Sequence, residues 1–240
     1  MQSSIVKGTT SVMLNQLKRL VPAQVKLSAK EALSERRLRR ALRRISQLSE
    51  GQLPSRELLN ELQLGWGNDG FAARYDYLEE VIGRAAKTRG SILECGTGLT
   101  SLLLGLYAGR RGVQTWSLEH IPEWHARVTA ALQRHRIPGV DVCLAPLREY
   151  GNFHWYDPPL DALPEAFSLV VCDGPPGTTP GGRYGLLPVL GQRLGADALI
   201  LLDDADREGE TDVLRRWASE KKIRVTLQTA PTGTFAIVTC

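Results

Sequence analysis

The chain has 240 residues, of which 42% are hydrophobic and 23% charged, with a formal net charge of +4 at pH 7. This composition supports a sizeable hydrophobic core and excludes a disordered chain, a collagen and a small disulfide scaffold. The apolar runs, such as residues 102–107 and 198–202, are much shorter than the roughly 18 to 20 residues of a membrane-spanning helix. Residues 1–10 contain no apolar segment typical of a secretory signal, so we expect a cytoplasmic protein.

The positive charge is concentrated at the beginning of the chain. Residues 1–50 contain eleven lysines and arginines but only three glutamates. Ser28 and Glu31 match a capping box, and the apolar residues that follow have helical spacing (Leu38, Ala41, Leu42 and Ile45). The pattern predicts a basic amphipathic helix. It either packs on the main domain with its arginines in solvent, or holds an anionic partner such as a membrane surface, a nucleic acid or an acidic substrate.

Downstream of this segment, helical patterns and short apolar runs alternate. A short helix is predicted for residues 56–62 and a longer one for residues 71–87. Strands are predicted for residues 91–95, 113–118, 140–144, 168–172, 198–202, 224–227 and 234–238, with helices at 100–108, 122–135, 184–194 and 208–221. This alternation predicts an α/β fold with a doubly wound, mostly parallel sheet and an N-terminal helical extension. Ligands of such sheets bind at the carboxyl ends of the strands.

The first predicted strand passes through a glycine-containing turn into a helix. Gly96 and Gly98 allow a tight turn and the close approach of a ligand to the backbone. Glu119, 21 residues after Gly98, follows the next strand, where a carboxylate can accept hydrogen bonds from both hydroxyls of a ribose. The two features together predict a cofactor that contains adenosine.

The residues around the turn favour one cofactor class. A dinucleotide fingerprint has a third glycine where this chain has Ser101. Glu94, just before the turn, would repel a pyrophosphate but suits a cofactor that carries an ammonium and a sulfonium group. We therefore expect S-adenosylmethionine, with a nicotinamide cofactor as a more distant alternative.

The E-x-G-x-G pattern at Glu94 to Gly98, with the acids Glu119 and Asp173, resembles the class I S-adenosylmethionine-dependent methyltransferases over about residues 66–240. The resemblance implies a seven-stranded sheet whose last strand is antiparallel. It places Glu94 and Asp173 at the methionine end of the cofactor and Glu119 at the ribose. The cofactor-binding residues that it implies are Glu94, Gly96, Thr97, Gly98, Ser101, Glu119, His120, Pro146, Leu147 and Asp173.

Three acids follow the fourth and fifth strands and can converge. Asp173, Asp203 and Asp204 offer hard oxygen ligands for Mg²⁺, and their places resemble those of the catechol and caffeoyl-coenzyme-A type of O-methyltransferase. The catechol branch has a lysine three residues after the first acid, whereas this chain has Pro176. The alternative is that Asp173 serves the cofactor while Asp203 and Asp204 cap the following helix.

A base is needed if the methyl acceptor is a hydroxyl or a protonated amine. We expect Asp173 and His154 to be the catalytic residues, His154 because it combines a near-neutral pKa with aromatic neighbours; the alternative is a surface histidine. Arg183 and Tyr184 follow the Gly/Pro-rich segment 174–182 and are expected to bind an anionic group of the substrate as that segment closes. The same composition is also typical of a simple mobile loop.

These features predict two parts: a basic helical extension at residues 1–64 and a cofactor-binding domain at residues 65–240. The function that we expect is O-methylation of a small molecule by S-adenosylmethionine, with Mg²⁺ as a possible additional cofactor. One alternative is a methyltransferase of RNA or another anionic macromolecule that uses the basic helix. Another is a non-catalytic scaffold, and either a monomer or a homo-oligomer is compatible with the sequence.

Overall fold

The computed structural model describes residues 23–67, 73–231 and 233–239. Within these residues, three helices precede the first strand: α1 (Ala23–Ser46), α2 (Arg56–Trp66) and α3 (Tyr75–Ala85). Ser28 lies inside α1, so the predicted capping box is wrong. The physical reason is that residues 23–27 contain no helix breaker and continue the helix toward the N-terminus.

The N-terminal helices share a core with the rest of the chain. The periodic apolar residues of α1 are buried, as the spacing predicted (Leu38, Ala41, Leu42 and Ile45). They belong to one hydrophobic cluster with Leu59 and Leu62 of α2 and Val81 of α3. Helix α2 extends to Trp66, so the predicted division between residues 64 and 65 falls inside a helix.

The sheet has the predicted seven strands and is mostly parallel, and the structure gives their order as β3-β2-β1-β6-β7-β9-β8. Its strands are β1 (Ser91–Cys95), β2 (Thr115–Glu119), β3 (Val140–Leu144), β6 (Phe167–Cys172), β7 (Leu194–Leu202), β8 (Arg224–Ala230) and β9 (Gly233–Thr239). Strand β9 runs antiparallel to both β7 and β8, while β1, β2, β3, β6 and β7 are parallel. The predicted antiparallel last strand is therefore confirmed.

Helices cover both faces of the sheet: α4 (Leu99–Tyr107), α5 (Pro122–His135), α6 (Leu186–Leu190) and α7 (Glu208–Glu220). The helix predicted at residues 184–194 is only the five-residue α6, flanked by the 3-10 turns Gly182–Gly185 and Gly191–Arg193. Glycine at both ends and Pro188 inside explain the difference, because neither residue type favours a continued helix.

A two-stranded hairpin, β4 (Leu147–Glu149) with β5 (His154–Tyr156), lies between β3 and β6 and was not predicted. Its strands have three residues each, too few for a period of two to be recognised. Trp155 and Tyr156 are fully buried, which fixes the hairpin on the sheet. In the described part of the chain, no helix has the length and apolar character required to cross a membrane.

Candidate functional site

The turn after β1 packs directly against the segment after β6. Gly96 has a φ of 87°, and a Cβ atom at this position would lie 3.1 Å from Cα of Gly174. The amide of Asp173 donates a hydrogen bond to the oxygen of Cys95 at 2.9 Å. By contrast, a Cβ atom at Gly98 would meet no atom within 4 Å. The turn is thus tight on the protein side and open at Gly98, as the approach of a ligand requires.

Glu94 is completely buried behind this turn. Its Oε2 accepts hydrogen bonds from Ser101 Oγ at 2.6 Å and Ser117 Oγ at 2.5 Å. Burial raises the pKa of Glu94 to about 7, although the hydrogen bonds from both serines oppose the shift. Its Oε1 is buried and has no hydrogen-bond partner among the described residues. A buried carboxylate with one unpaired oxygen is suited to a cationic donor from a ligand.

Ser101 connects Glu94 with the backbone of the glycine turn. It is fully buried and accepts a hydrogen bond from the amide of Gly98 at 3.0 Å while donating to Glu94. The structure therefore places Ser101 behind the predicted cofactor site, where it orients Glu94 and Gly98.

Glu119 ties the end of β2 to the turn after β1. Its Oε2 accepts from the hydroxyl of Thr97 at 2.6 Å and the Thr97 amide at 3.3 Å. Its Oε1 accepts from the amides of His120 and Ile121 at 2.8 and 2.9 Å. A ribose at Glu119 would therefore have to replace the Thr97 hydroxyl.

An arginine between two tryptophans supports the same turn. Trp124 donates its indole N–H to the oxygen of Thr97 at 2.6 Å. The guanidinium carbon of Arg127 lies 4.5 Å from the ring centroids of both Trp66 and Trp124. Arg127 also donates to the backbone oxygen of Trp66, so the end of α2 is connected to the predicted cofactor turn.

The residues predicted near the adenine lie beside Glu119. The amide of Ala145 donates to the backbone oxygen of Glu119 at 2.7 Å. Exposed Pro146 and half-buried Leu147 are next in the chain. Nδ1 of His120 lies 3.2 Å from Oε1 of Glu119.

Tyr156 is a site residue that the sequence analysis did not assign. Its hydroxyl is buried without a hydrogen-bond partner among the described residues. A Cβ atom at Gly174 would overlap this hydroxyl, and the Tyr156 ring lies 5.9 Å from that of His120. The only signal in the sequence was the aromatic segment 153–156, which does not reveal where the hydroxyl points.

His154 is half-buried in β5. Its amide donates to the oxygen of Pro180 at 2.8 Å, which connects the hairpin to the Gly/Pro-rich segment 174–182. Since side chains alternate along a strand, His154 shares the strand face of Tyr156.

The three predicted metal ligands come together. Carboxylate oxygens of Asp173, Asp203 and Asp204 lie within 4.8 Å of one another. Burial and the neighbouring acids raise the pKa of Asp173 to about 6, although Arg183 opposes this shift. Burial and the neighbouring acids also raise the pKa of Asp203 to about 7. We call these residues the acid cluster.

Arg183 lies inside the acid cluster, with 2% of its surface exposed. Nη2 lies 2.9 Å from Oδ1 of Asp173 and 3.4 Å from Oδ2 of Asp204. Nη1 donates to the backbone oxygen of Asp203. Mg²⁺ requires carboxylate oxygens at about 2.0–2.1 Å. The carboxylates of Asp173 and Asp204 instead face the guanidinium of Arg183. The acid cluster as it stands does not fit Mg²⁺.

Arg183 and Tyr184 are placed differently from the expectation that they bind substrate. Arg183 is engaged by the acid cluster, and the Tyr184 hydroxyl donates to the Glu220 carboxylate at 2.8 Å. The guanidinium carbon of Arg216 lies 3.3 Å from the Tyr184 ring centroid, so Tyr184 packs on α7. Arg207 occupies the N-cap position of α7 and its side chain makes no capping hydrogen bond, so neither Asp203 nor Asp204 is the N-cap residue of this helix.

No protein-family model and no curated protein matches the sequence. Among solved structures, a putative caffeoyl-CoA O-methyltransferase from Staphylococcus aureus is similar, with a TM-score of 0.59 and 12% identity over 78% of this chain and 93% of the other. A methyltransferase from Geobacter sulfurreducens gives a TM-score of 0.55 and 12% identity over 79% and 91% of the two chains. A cofactor-bound protein from MTB gives a TM-score of 0.53 and 17% identity over 84% of this chain and 88% of the other. With these likenesses and the strand order, the chain has the fold of the class I S-adenosylmethionine-dependent methyltransferases.

Proposed function

We propose that the chain is an S-adenosylmethionine-dependent methyltransferase that methylates oxygen of a small molecule. The observation that carries the proposal is the unpaired, buried Oε1 of Glu94 next to the Gly96 turn. The methionine end of the cofactor carries an ammonium group, which can donate the hydrogen bond that this oxygen lacks. The space beside Gly98 would then receive the nucleoside.

The remaining cofactor contacts follow from the same geometry. Glu119 would accept from the ribose hydroxyls after exchanging its bond with Thr97. Asp173, with 24% of its side chain exposed, is the member of the acid cluster most open to the cleft. When bound, the cofactor supplies a methyl group on a positively charged sulfur.

His154 is the residue that we propose as the proton acceptor for the substrate hydroxyl. Transfer in line with the sulfur requires a lone pair of the acceptor oxygen aimed at the methyl carbon. His154 is on the hairpin that packs over the strand ends, on the strand face of Tyr156, whose hydroxyl touches the Gly174 segment. Tyr156, at the end of β5 in this hairpin, is fully buried beside the strand ends, and this close packing favours a small acceptor.

The test is calorimetric titration with S-adenosylmethionine and S-adenosylhomocysteine. We expect micromolar binding by the wild type and at least tenfold weaker binding by Glu94→Gln, which cannot present a charged oxygen to the ammonium. Glu165→Gln, on an exposed side chain, is the matched control and should bind like the wild type. A folded wild-type protein that binds neither compound would refute the proposal and favour a non-catalytic scaffold.

A second candidate, methylation of RNA, is favoured by the surface of α1. Arg36, Arg37, Arg40 and Arg43 are exposed, and none of the four forms an ion pair with the described residues. Phosphate binding by such a surface weakens steeply with salt. Incubation with methyl-labelled cofactor and either total RNA or a panel of small hydroxylated compounds distinguishes the candidates. Label in RNA that is lost in an Arg36/Arg40/Arg43→Gln variant would favour RNA, and label in a small compound would favour the first proposal.

A further inference from the structure

The guanidinium of Arg183 forms ion pairs with three carboxylates on different elements. Asp173 follows β6, Asp204 follows β7, and Glu210 lies on α7. Nε of Arg183 is 3.7 Å from Oε1 of Glu210, whose side chain is 3% exposed. Carboxylates from three elements thus meet at the buried guanidinium.

Glu210 distinguishes this arrangement from a metal site. It lies outside the trio of potential ligands, and among the described residues its Oε1 has no hydrogen-bond partner. A cation held by Asp173, Asp203 and Asp204 alone would leave the buried Glu210 without a balancing charge. The long side chain of Arg183 meets both requirements, because Nη2 faces Asp173 and Asp204 while Nε faces Glu210.

Arg183 also holds the backbone at two strand ends. Nη2 lies 3.3 Å from the backbone oxygen of Asp173, and Nη1 donates to the backbone oxygen of Asp203. These bonds tie the residue after β6 to the residue after β7. A planar guanidinium with five N–H donors can make such bonds and an ion pair at once, whereas a point charge cannot.

We infer that Arg183 takes the place of a divalent cation in the acid cluster, so that the chain positions Asp173 without a metal. Arg183 is a positioning residue in this arrangement, since it acts through Asp173. The proline at position 176, where the catechol branch has a lysine, is a second departure of this chain from the metal-dependent type.

The experiment is a titration of Mn²⁺ into the metal-free full chain, followed by electron paramagnetic resonance in the absence of any cofactor. The wild type should leave the six-line signal of free Mn²⁺ unchanged. Arg183→Met removes the guanidinium but keeps much of the side-chain volume, and it should bind Mn²⁺, seen as a loss of the free signal. Arg183→Lys keeps the positive charge and should exclude Mn²⁺ like the wild type.

Binding of Mn²⁺ by the wild type that Asp203→Asn abolishes would overturn the inference. A folded Arg183→Met that binds no Mn²⁺ would overturn it too, because guanidinium and metal would then not compete for one place. If Arg183→Met does not fold, the wild-type titration decides alone. Since no cofactor is present, the result is independent of whether the chain binds S-adenosylmethionine.

Discussion

The hydroxyl of Thr97 donates a hydrogen bond to Oε2 of Glu119 across 2.6 Å, and both residues are buried. The bond connects the ends of two adjacent strands, because Thr97 follows β1 and Glu119 closes β2. The strand ends are therefore held together by side chains as well as by the ladder of the sheet.

Thr97→Val removes this bond and keeps the shape of the side chain. Glu119 then loses one of its four donors in a buried place, so we expect the free energy of unfolding to fall by about 1–2 kcal/mol. Urea denaturation measures the change. Thr226→Val, on an exposed position of β8, is the control and should shift the value by less than about 0.5 kcal/mol. Equal effects of the two substitutions would contradict a special role of the Thr97 bond.

Glu94 should make stability depend on pH. Burial raises its pKa from 4.5 to about 7, so between these values the folded protein keeps a proton that the unfolded chain releases. Stability must then fall as pH rises through this window, by about 3 kcal/mol in total, and level off above it. Glu94→Gln lacks this contribution. Urea midpoints of wild type and variant should therefore diverge in favour of the variant from about pH 4 to about pH 8, and parallel curves would refute the expectation.

Two glycines of the site should respond differently to alanine. At Gly174 the new Cβ would overlap the Tyr156 hydroxyl and lie 2.9 Å from Cα of Gly96, so we expect a loss of about 1–3 kcal/mol. The loss should be smaller in a Tyr156→Phe background, which a double-mutant cycle measures. Gly98→Ala meets open space and should affect the melting temperature less than Gly174→Ala, while weakening cofactor binding. A Gly98→Ala variant with unchanged cofactor affinity would argue against a ligand at this turn.

Arg127 should contribute to stability through the two indole rings. Arg127→Met removes both ring contacts and the bond to the Trp66 oxygen, and we expect a loss of about 1–2 kcal/mol with a smaller loss for Arg127→Lys. Arg134→Ala on the same helix, with 57% of its side chain exposed, should cost less than about 0.5 kcal/mol. Chemical denaturation followed by tryptophan fluorescence compares the three variants, and an equal loss at both arginines would exclude the ring contacts as the cause.

The parts of the site that could be predicted are those that depend on local pattern and on topology. The glycine turn, Glu94 and Glu119 follow directly from strands with clear apolar runs, and parallel strand ends necessarily bring Asp173 and Asp203 to one edge. The β1–β2 register places Glu94 opposite Ser117, a pairing that no local pattern encodes.

The position of Arg183 could not be predicted either, because it is not encoded by a local sequence pattern. It depends on the path of the Gly/Pro-rich segment, where Gly181 and Gly182 have φ values of 81° and 52°. A sequence shows that such a segment is permissive but not which way it turns. The direction of the Tyr156 side chain could not be predicted either, since it depends on a hairpin whose strands are too short to give a periodic pattern.

The insertion of β9 between β7 and β8 has a consequence for the order of folding during synthesis. Until residues 233–239 leave the ribosome, β7 has an unpaired edge and β8 has no neighbour at all. The amide of Ala205, next to the acid cluster, donates to the oxygen of Thr234 at 2.8 Å. A nascent chain can thus assemble the glycine turn early, but it completes the surroundings of Arg183 only after β9 has been translated.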